Sequence, residues 1–116
     1  MDYVRLIHDI QRRPGSYGLS GGYREYVAFI MGCDAGNEWG LLAGFPQWLA
    51  LKHGFEANLA WPEMISQISG RDEGGGESET LFQNLRSFLD EKKGPHFSSI
   101  IISNYLEEKM KKRGGR

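Results

Sequence analysis

A chain of 116 residues, 40% hydrophobic and 12% aromatic, has the commonest size of one domain and can bury one core without disulfides or metals. A formal charge of −1 argues against a general nucleic-acid binder. The single cysteine, Cys33, excludes a disulfide framework and suits a reducing cytoplasm.

Residues 2–12 are predicted to form the first helix, with Val4, Leu6, Ile7 and Ile10 on one face and Arg5, His8, Asp9 and Arg12 outward. The stretch Arg12-Arg13-Pro14-Gly15-Ser16-Tyr17-Gly18 ends it, because the residue before a proline is pushed out of helical geometry. Ser20 is the expected cap of a second helix carrying Tyr23, Tyr26, Val27, Phe29, Ile30 and Cys33, which is read as the central one and as weakening past residue 33. Residues 34–44 read as a glycine-punctuated connection holding Trp39.

Phe45 to Lys52 reads as a short helix with Pro46 in its first turn and Gly54 as its C-terminal cap. Asn58 to Gly70 repeats that grammar, with Pro62 at the start and Trp61, Met64, Ile65 and Ile68 inward. Arg71 to Glu77 has no apolar residue and three glycines, so it is a surface loop. Ser78 is the expected cap of a fifth helix over 79–93, with Leu81, Phe82, Leu85, Phe88 and Leu89 at three–four spacing and Lys92 and Lys93 as favourable charges at its negative C-terminal end. Residues 97–112 fit a strand by their β-branched start and a helix by Ile101, Tyr105, Leu106 and Met110. The helix is preferred, because a lone strand would have no partner. The expectation is an all-α fold, one domain over 1–116 with five or six helices.

Tests for chemistry return little. His8, His53 and His96 have no second ligand at helical spacing, so no metal site is expected. Cys33 lies on an apolar face and reads as a small hydrophobe before it reads as a nucleophile. Neither Gly15-Ser16-Tyr17-Gly18 nor Gly74-Gly75-Gly76 leads into the Lys-Ser/Thr pair of a phosphate loop. Trp39, Phe45, Trp48, Phe55 and Trp61 could line a ligand pocket, but core packing is the simpler reading for all except Trp39, which sits where it could be an exposed contact anchor. No apolar run approaches the roughly 18–20 residues of a membrane span, and Met1-Asp2-Tyr3-Val4-Arg5 does not read as a signal peptide.

The charge is unevenly placed. Residues 31–93 hold ten acidic against five basic side chains, whereas five basic face two acidic from residue 94 onward. A basic tail without interleaved aromatics, on an acidic body, does not favour direct nucleic-acid binding.

The order of landmarks is suggestive. Arg13-Pro14-Gly15-Ser16-Tyr17 precedes a Tyr-x-x-x-x-x-Phe-Ile-x-Gly helix from Tyr23 to Gly32, and Phe45-x-x-Trp48-Leu49-x-x-Lys52 follows. Trp61 with Ile65, an acidic loop and a Leu-Phe-x-x-Leu-x-x-Phe-Leu helix from Leu81 to Leu89 complete the order. Over residues 3–91 this resembles small bacterial immunity proteins of polymorphic toxin and contact-dependent growth inhibition systems. The resemblance implies a family-like core over 3–91 followed by a helical C-terminal extension over 94–116; it rests on packing and turn residues and brings no functional residues with it. It implies a cytoplasmic protein that binds and neutralises a cognate toxin domain, in many such systems a nuclease with a cationic cleft, without catalysis, metal or small-molecule cofactor and away from membranes.

Under that reading an acidic surface steers the encounter. The expected partner contacts are Asp34, Glu38 and Trp39 in the connection and Asp72, Glu73, Glu77 and Glu79 around the glycine loop, with an ordinary solvated loop as the alternative for the latter. A regulatory or scaffold domain, nucleic-acid associated through its basic tail, is the competing function. An enzyme centred on His53 or Cys33 is the third. In the preferred reading the outer surface does the work, not a polar cleft with converging titratable groups.

Overall fold

Six helices follow one another in the computed structural model, which describes residues 2–55, 59–71, 76–92 and 96–114. They are α1 (Tyr3–Arg12), α2 (Tyr23–Gly36), α3 (Phe45–His53), α4 (Trp61–Arg71), α5 (Glu77–Glu91) and α6 (Phe97–Gly114), with a 3-10 turn over Pro14–Tyr17 between the first two. No strand occurs among the described residues, so the fold is all-α and the ambiguous segment is helix. None of the described helices is long and apolar enough to cross a membrane.

Polar side chains set several of the boundaries. Asp2 caps α1 by accepting the Arg5 amide at 3.1 Å. Val4, expected on the buried face, is exposed, and Ile7 and Ile10 alone are fully buried there. The start of α2 also differs from expectation. Ser20 caps nothing; its amide and hydroxyl both donate to Glu25, which accepts the Gly22 amide as well, at 3.3 Å. Gly22 is therefore the cap, Tyr23 the first helical residue, and the three bonds hold the Glu25 carboxyl below its usual range. At α5 the cap is Gly76, and Ser78 lies inside the first turn. Gly54 ends α3 as expected, with φ +74° and its amide on the Ala50 carbonyl at 2.9 Å.

The helix at the centre is α5, not α2. It packs against α1, α2, α3 and α4 and buries Thr80, Leu81, Phe82, Asn84, Leu85 and Phe88. α2 fully buries only Tyr26 and Ile30; Tyr23, Val27, Phe29 and Cys33 stay half-exposed at its flanks. A wide apolar stripe means central burial only if neighbours pack closely on both sides, and the closest packing of α2 is against α5.

Aromatic rings fill the middle. Phe45 lies 5.1 Å from Phe88, 5.6 Å from Trp61 and 6.2 Å from Trp48, centroid to centroid, within the range where aromatic pairs attract beyond area burial. Four of the five aromatics weighed as pocket-lining, Phe45, Trp48, Phe55 and Trp61, are core residues. Leu41 and Leu42, in what reads as a plain connection, are also buried in the core.

α6 docks its N-terminal half on α3. Phe97 meets Phe88 at 5.9 Å, and the Ser98 hydroxyl donates to the Ala43 carbonyl at 2.7 Å. Gly44 makes the approach possible, since a Cβ there would lie 2.7 Å from Cγ2 of Ile101.

Candidate functional site

α2 ends in a turn that carries the most exposed aromatic anchor among the described residues. The Trp39 amide donates to the Asp34 carbonyl at 2.7 Å, and the Glu38 amide to the Ala35 carbonyl at 3.2 Å. This pair of bonds is a Schellman closure, whose second residue past the end of the helix is normally glycine because it must take the left-handed conformation. Here that place is held by Glu38 at φ +54°, and Trp39 follows at φ +62°. Two consecutive non-glycine residues in this region cost roughly 1–2 kcal/mol each. The surroundings enforce the geometry: the Asp34 carboxylate accepts the Leu42 amide at 2.9 Å, Leu41 and Leu42 are buried, and the Gly40 amide returns to Asn37 at 3.0 Å.

Lys92, at the end of α5, holds the turn from outside. Its ammonium donates to the carbonyls of Gly40 and Leu41 and lies 5.5 Å from the Phe88 ring. Burial pulls its pKa down, and Asp34 partly offsets that. On this frame Trp39 stands 68% exposed, with Glu38 exposed beside it.

The expected contact residues therefore fall in two places. Asp34, Glu38 and Trp39 are together, but Asp34 is half-buried and spends its carboxylate inside the turn, where it positions the other two. Glu77 and Glu79 open α5, whose far end meets Lys92 and the Trp39 turn; fifteen residues of helix put the two groups roughly 20 Å apart. Asp72 and Glu73 lie outside the described residues.

Glu77 belongs to a separate open groove of about 730 Å³ between α2, α4 and the start of α5. Glu25, Glu63 and Glu77 line it with Tyr23, Arg24 and Ser66. This convergence of titratable groups departs from the sequence reading, and nothing signals it beforehand because the lining comes from separate segments. Its hydrogen bonds are largely internal: Tyr23 donates to the Pro62 carbonyl at 2.7 Å and Ser66 to Glu77. Burial first, then the nearby Glu77 and Glu63, push the Tyr23 phenol far above its ordinary value. Tyr23 thus stays neutral and Glu25 charged near neutral pH, so neither is poised to move a proton there.

The remaining candidates, Cys33 and His53, do not line this groove. Cys33 is half-buried, and burial raises its thiol pKa, away from the thiolate a nucleophile needs. His53 Nε2 lies 2.9 Å from Asn84 Oδ1, and the Asn84 amide donates to the Thr80 carbonyl at 2.9 Å; that orientation of Asn84 makes Nε2 the donor. No group of three or more His, Cys, Asp or Glu placed to hold a metal occurs among the described residues. The residue that sequence reasoning passes over is Lys92, which reads only as a favourable charge at a helix end; the chain separation hides its target.

No protein-family model, curated protein or solved structure matches the chain.

Proposed function

We propose that this protein acts by binding another protein through the Trp39 turn, and that its partner is a bacterial toxin domain that it neutralises. One observation carries the binding role. A large aromatic side chain is held out in solvent on a backbone that two left-handed non-glycine residues make costly, and the fold spends Asp34, Lys92 and two buried leucines on keeping it there. Strain concentrated on an exposed residue suggests function, and tryptophan is the residue type most enriched where binding energy concentrates. A preformed turn also saves the ordering cost that a flexible loop would incur on binding.

The toxin as partner is favoured by the landmark resemblance and by the acidic excess over residues 31–93, which would attract a cationic nuclease cleft. Glu38, exposed beside Trp39, supplies acidity at the anchor itself.

The test is co-expression with the toxin domain encoded next to this gene in its native host. Cells carrying the wild-type chain should grow, and cells carrying Trp39→Ala should not, although the variant folds. No rescue by the wild-type chain rejects the toxin reading. Equal rescue by Trp39→Ala rejects the turn as the contact.

A further inference from the structure

The Trp39 turn already holds a cation on its inner side. The Lys92 ammonium donates to the carbonyls of Gly40 and Leu41 and lies 5.5 Å from the centroid of the Phe88 ring. It thus sits between peptide oxygens and an aromatic face.

The outer side repeats those elements without the cation. α2, fourteen residues long, ends here, and its aligned peptides leave partial negative charge at that end. Glu38 adds a full charge. It is exposed, and the one ion pair among the described residues joins Arg13 to Asp9 instead. The Asp34 charge is offset by its attraction to Lys92, which leaves Glu38 as the unmatched charge of the turn. Trp39 supplies the ring, 68% exposed. The Cα atoms of Glu38 and Trp39 are about 3.8 Å apart, so one group can touch both side chains. No apolar side chain of the turn rims the indole: Asn37, Glu38 and Gly40 are exposed around it, and Leu41 and Leu42 are buried. An apolar pocket closing over the ring would cover Glu38 as well and leave a charge desolvated and unpaired.

We propose, on the reading of this turn as the protein contact, that it receives an arginine side chain of the partner, its guanidinium flat on the Trp39 indole and donating to the Glu38 carboxylate. Tryptophan is the ring that attracts a cation most strongly. Guanidinium suits the pair better than ammonium does. It is planar and weakly hydrated, so it stacks on a ring, and its parallel N–H groups match a carboxylate.

A blocked diarginine peptide, titrated into the isotope-labelled full chain and followed by NMR, tests this. The Trp39 indole N–H and the Glu38 amide should move together and saturate, while the buried Trp48 and Trp61 indoles stay in place. Dilysine should bind more weakly, and dicitrulline, the neutral mimic of the same shape, should move nothing. Glu38→Gln and Trp39→Leu, read at the backbone amides of the turn, should each weaken diarginine binding about two- to five-fold. A Trp39 indole that does not move, dicitrulline as effective as diarginine, or undiminished binding by either variant overturns the proposal. Equal affinity for dilysine overturns the choice of guanidinium. Growth rescue separates this from the reading beneath it: Trp39→Ala and Trp39→Leu should both lose rescue. Rescue kept by Trp39→Leu and lost by Trp39→Ala leaves the turn as the contact and removes the arginine. Full rescue by Trp39→Ala removes both.

Discussion

The Lys92 ammonium reaches the Leu41 carbonyl at 3.2 Å across fifty-one residues of chain, and so ties the end of the central helix to the turn that displays Trp39. Lys92 is half-buried, with Phe88 beneath it and the Gly40 carbonyl as a second acceptor. Replacing it by methionine keeps most of the stem and removes the charged donor. Two carbonyls lose their partner, which should cost about 1–2 kcal/mol in urea unfolding. Amide exchange should accelerate at residues 39–42 first. Unchanged exchange in that segment would show that Asp34 and the buried leucines hold the turn unaided.

Glu38 occupies the glycine position of the Schellman closure. Glu38→Gly removes a left-handed penalty of roughly 1–2 kcal/mol but adds freedom to the unfolded chain, so the expected net gain is about 0.5–1 kcal/mol. Chemical denaturation measures it directly. A loss of stability would mean that the Glu38 side chain makes a contact worth more than the strain. Trp39→Ala, by contrast, should change stability by less than about 0.5 kcal/mol because the ring is mostly in solvent, which keeps its effect on binding interpretable.

What could be read from the sequence follows physical range. Helix number, the proline and glycine boundaries, and the inward faces of α3, α4 and α5 come from local rules. Phe45, Trp48, Ile65 and Leu85 sit where periodicity places them. Local rules fail where a side chain answers a distant or reversed partner. Ser20 looks like a cap but donates to Glu25, and Lys92 looks like a dipole charge but serves Gly40 and Leu41. The choice of central helix fails for the same reason: α2 and α5 both carry wide stripes, and only three-dimensional neighbours decide which is enclosed. At the site, Trp39 stands out in the sequence as an aromatic among glycines, while the inward use of Asp34 depends on the Leu42 amide returning to it.

Gly44 is predicted to be the least replaceable glycine described. It has φ +90°, and an added Cβ would meet Ile101 Cγ2 at 2.7 Å and the Ser98 Cα at 3.3 Å. Gly44→Ala should therefore cost about 2–3 kcal/mol, from backbone strain and from displacing α6. Ile101→Ala removes the closest obstacle, so the double variant should lose less than the two single losses combined. Strict additivity would show that α6 yields freely and that the backbone conformation alone sets the cost.

Acid sensitivity should centre on the first turn of the chain. The Asp9 carboxylate accepts Arg13 Nε at 3.0 Å, Arg13 Nη2 at 2.7 Å and the Tyr17 hydroxyl at 2.5 Å. The hydrogen bond from Arg13, then that from Tyr17, lower its pKa from 3.8 to about 2. A folded-state value below the unfolded one means that the unfolded chain binds more protons in this window. The contribution is complete above pH 3.8 and disappears as the pH falls to about 2. Asp9→Asn should melt below the wild type at neutral pH, and the gap in Tm should close across that interval. A gap that persists below it would assign the effect to the shape of the side chain rather than to its charge. Tyr17→Phe should reproduce part of the gap, since it removes one of the two groups that hold the carboxylate ionised while leaving the Arg13 pair intact.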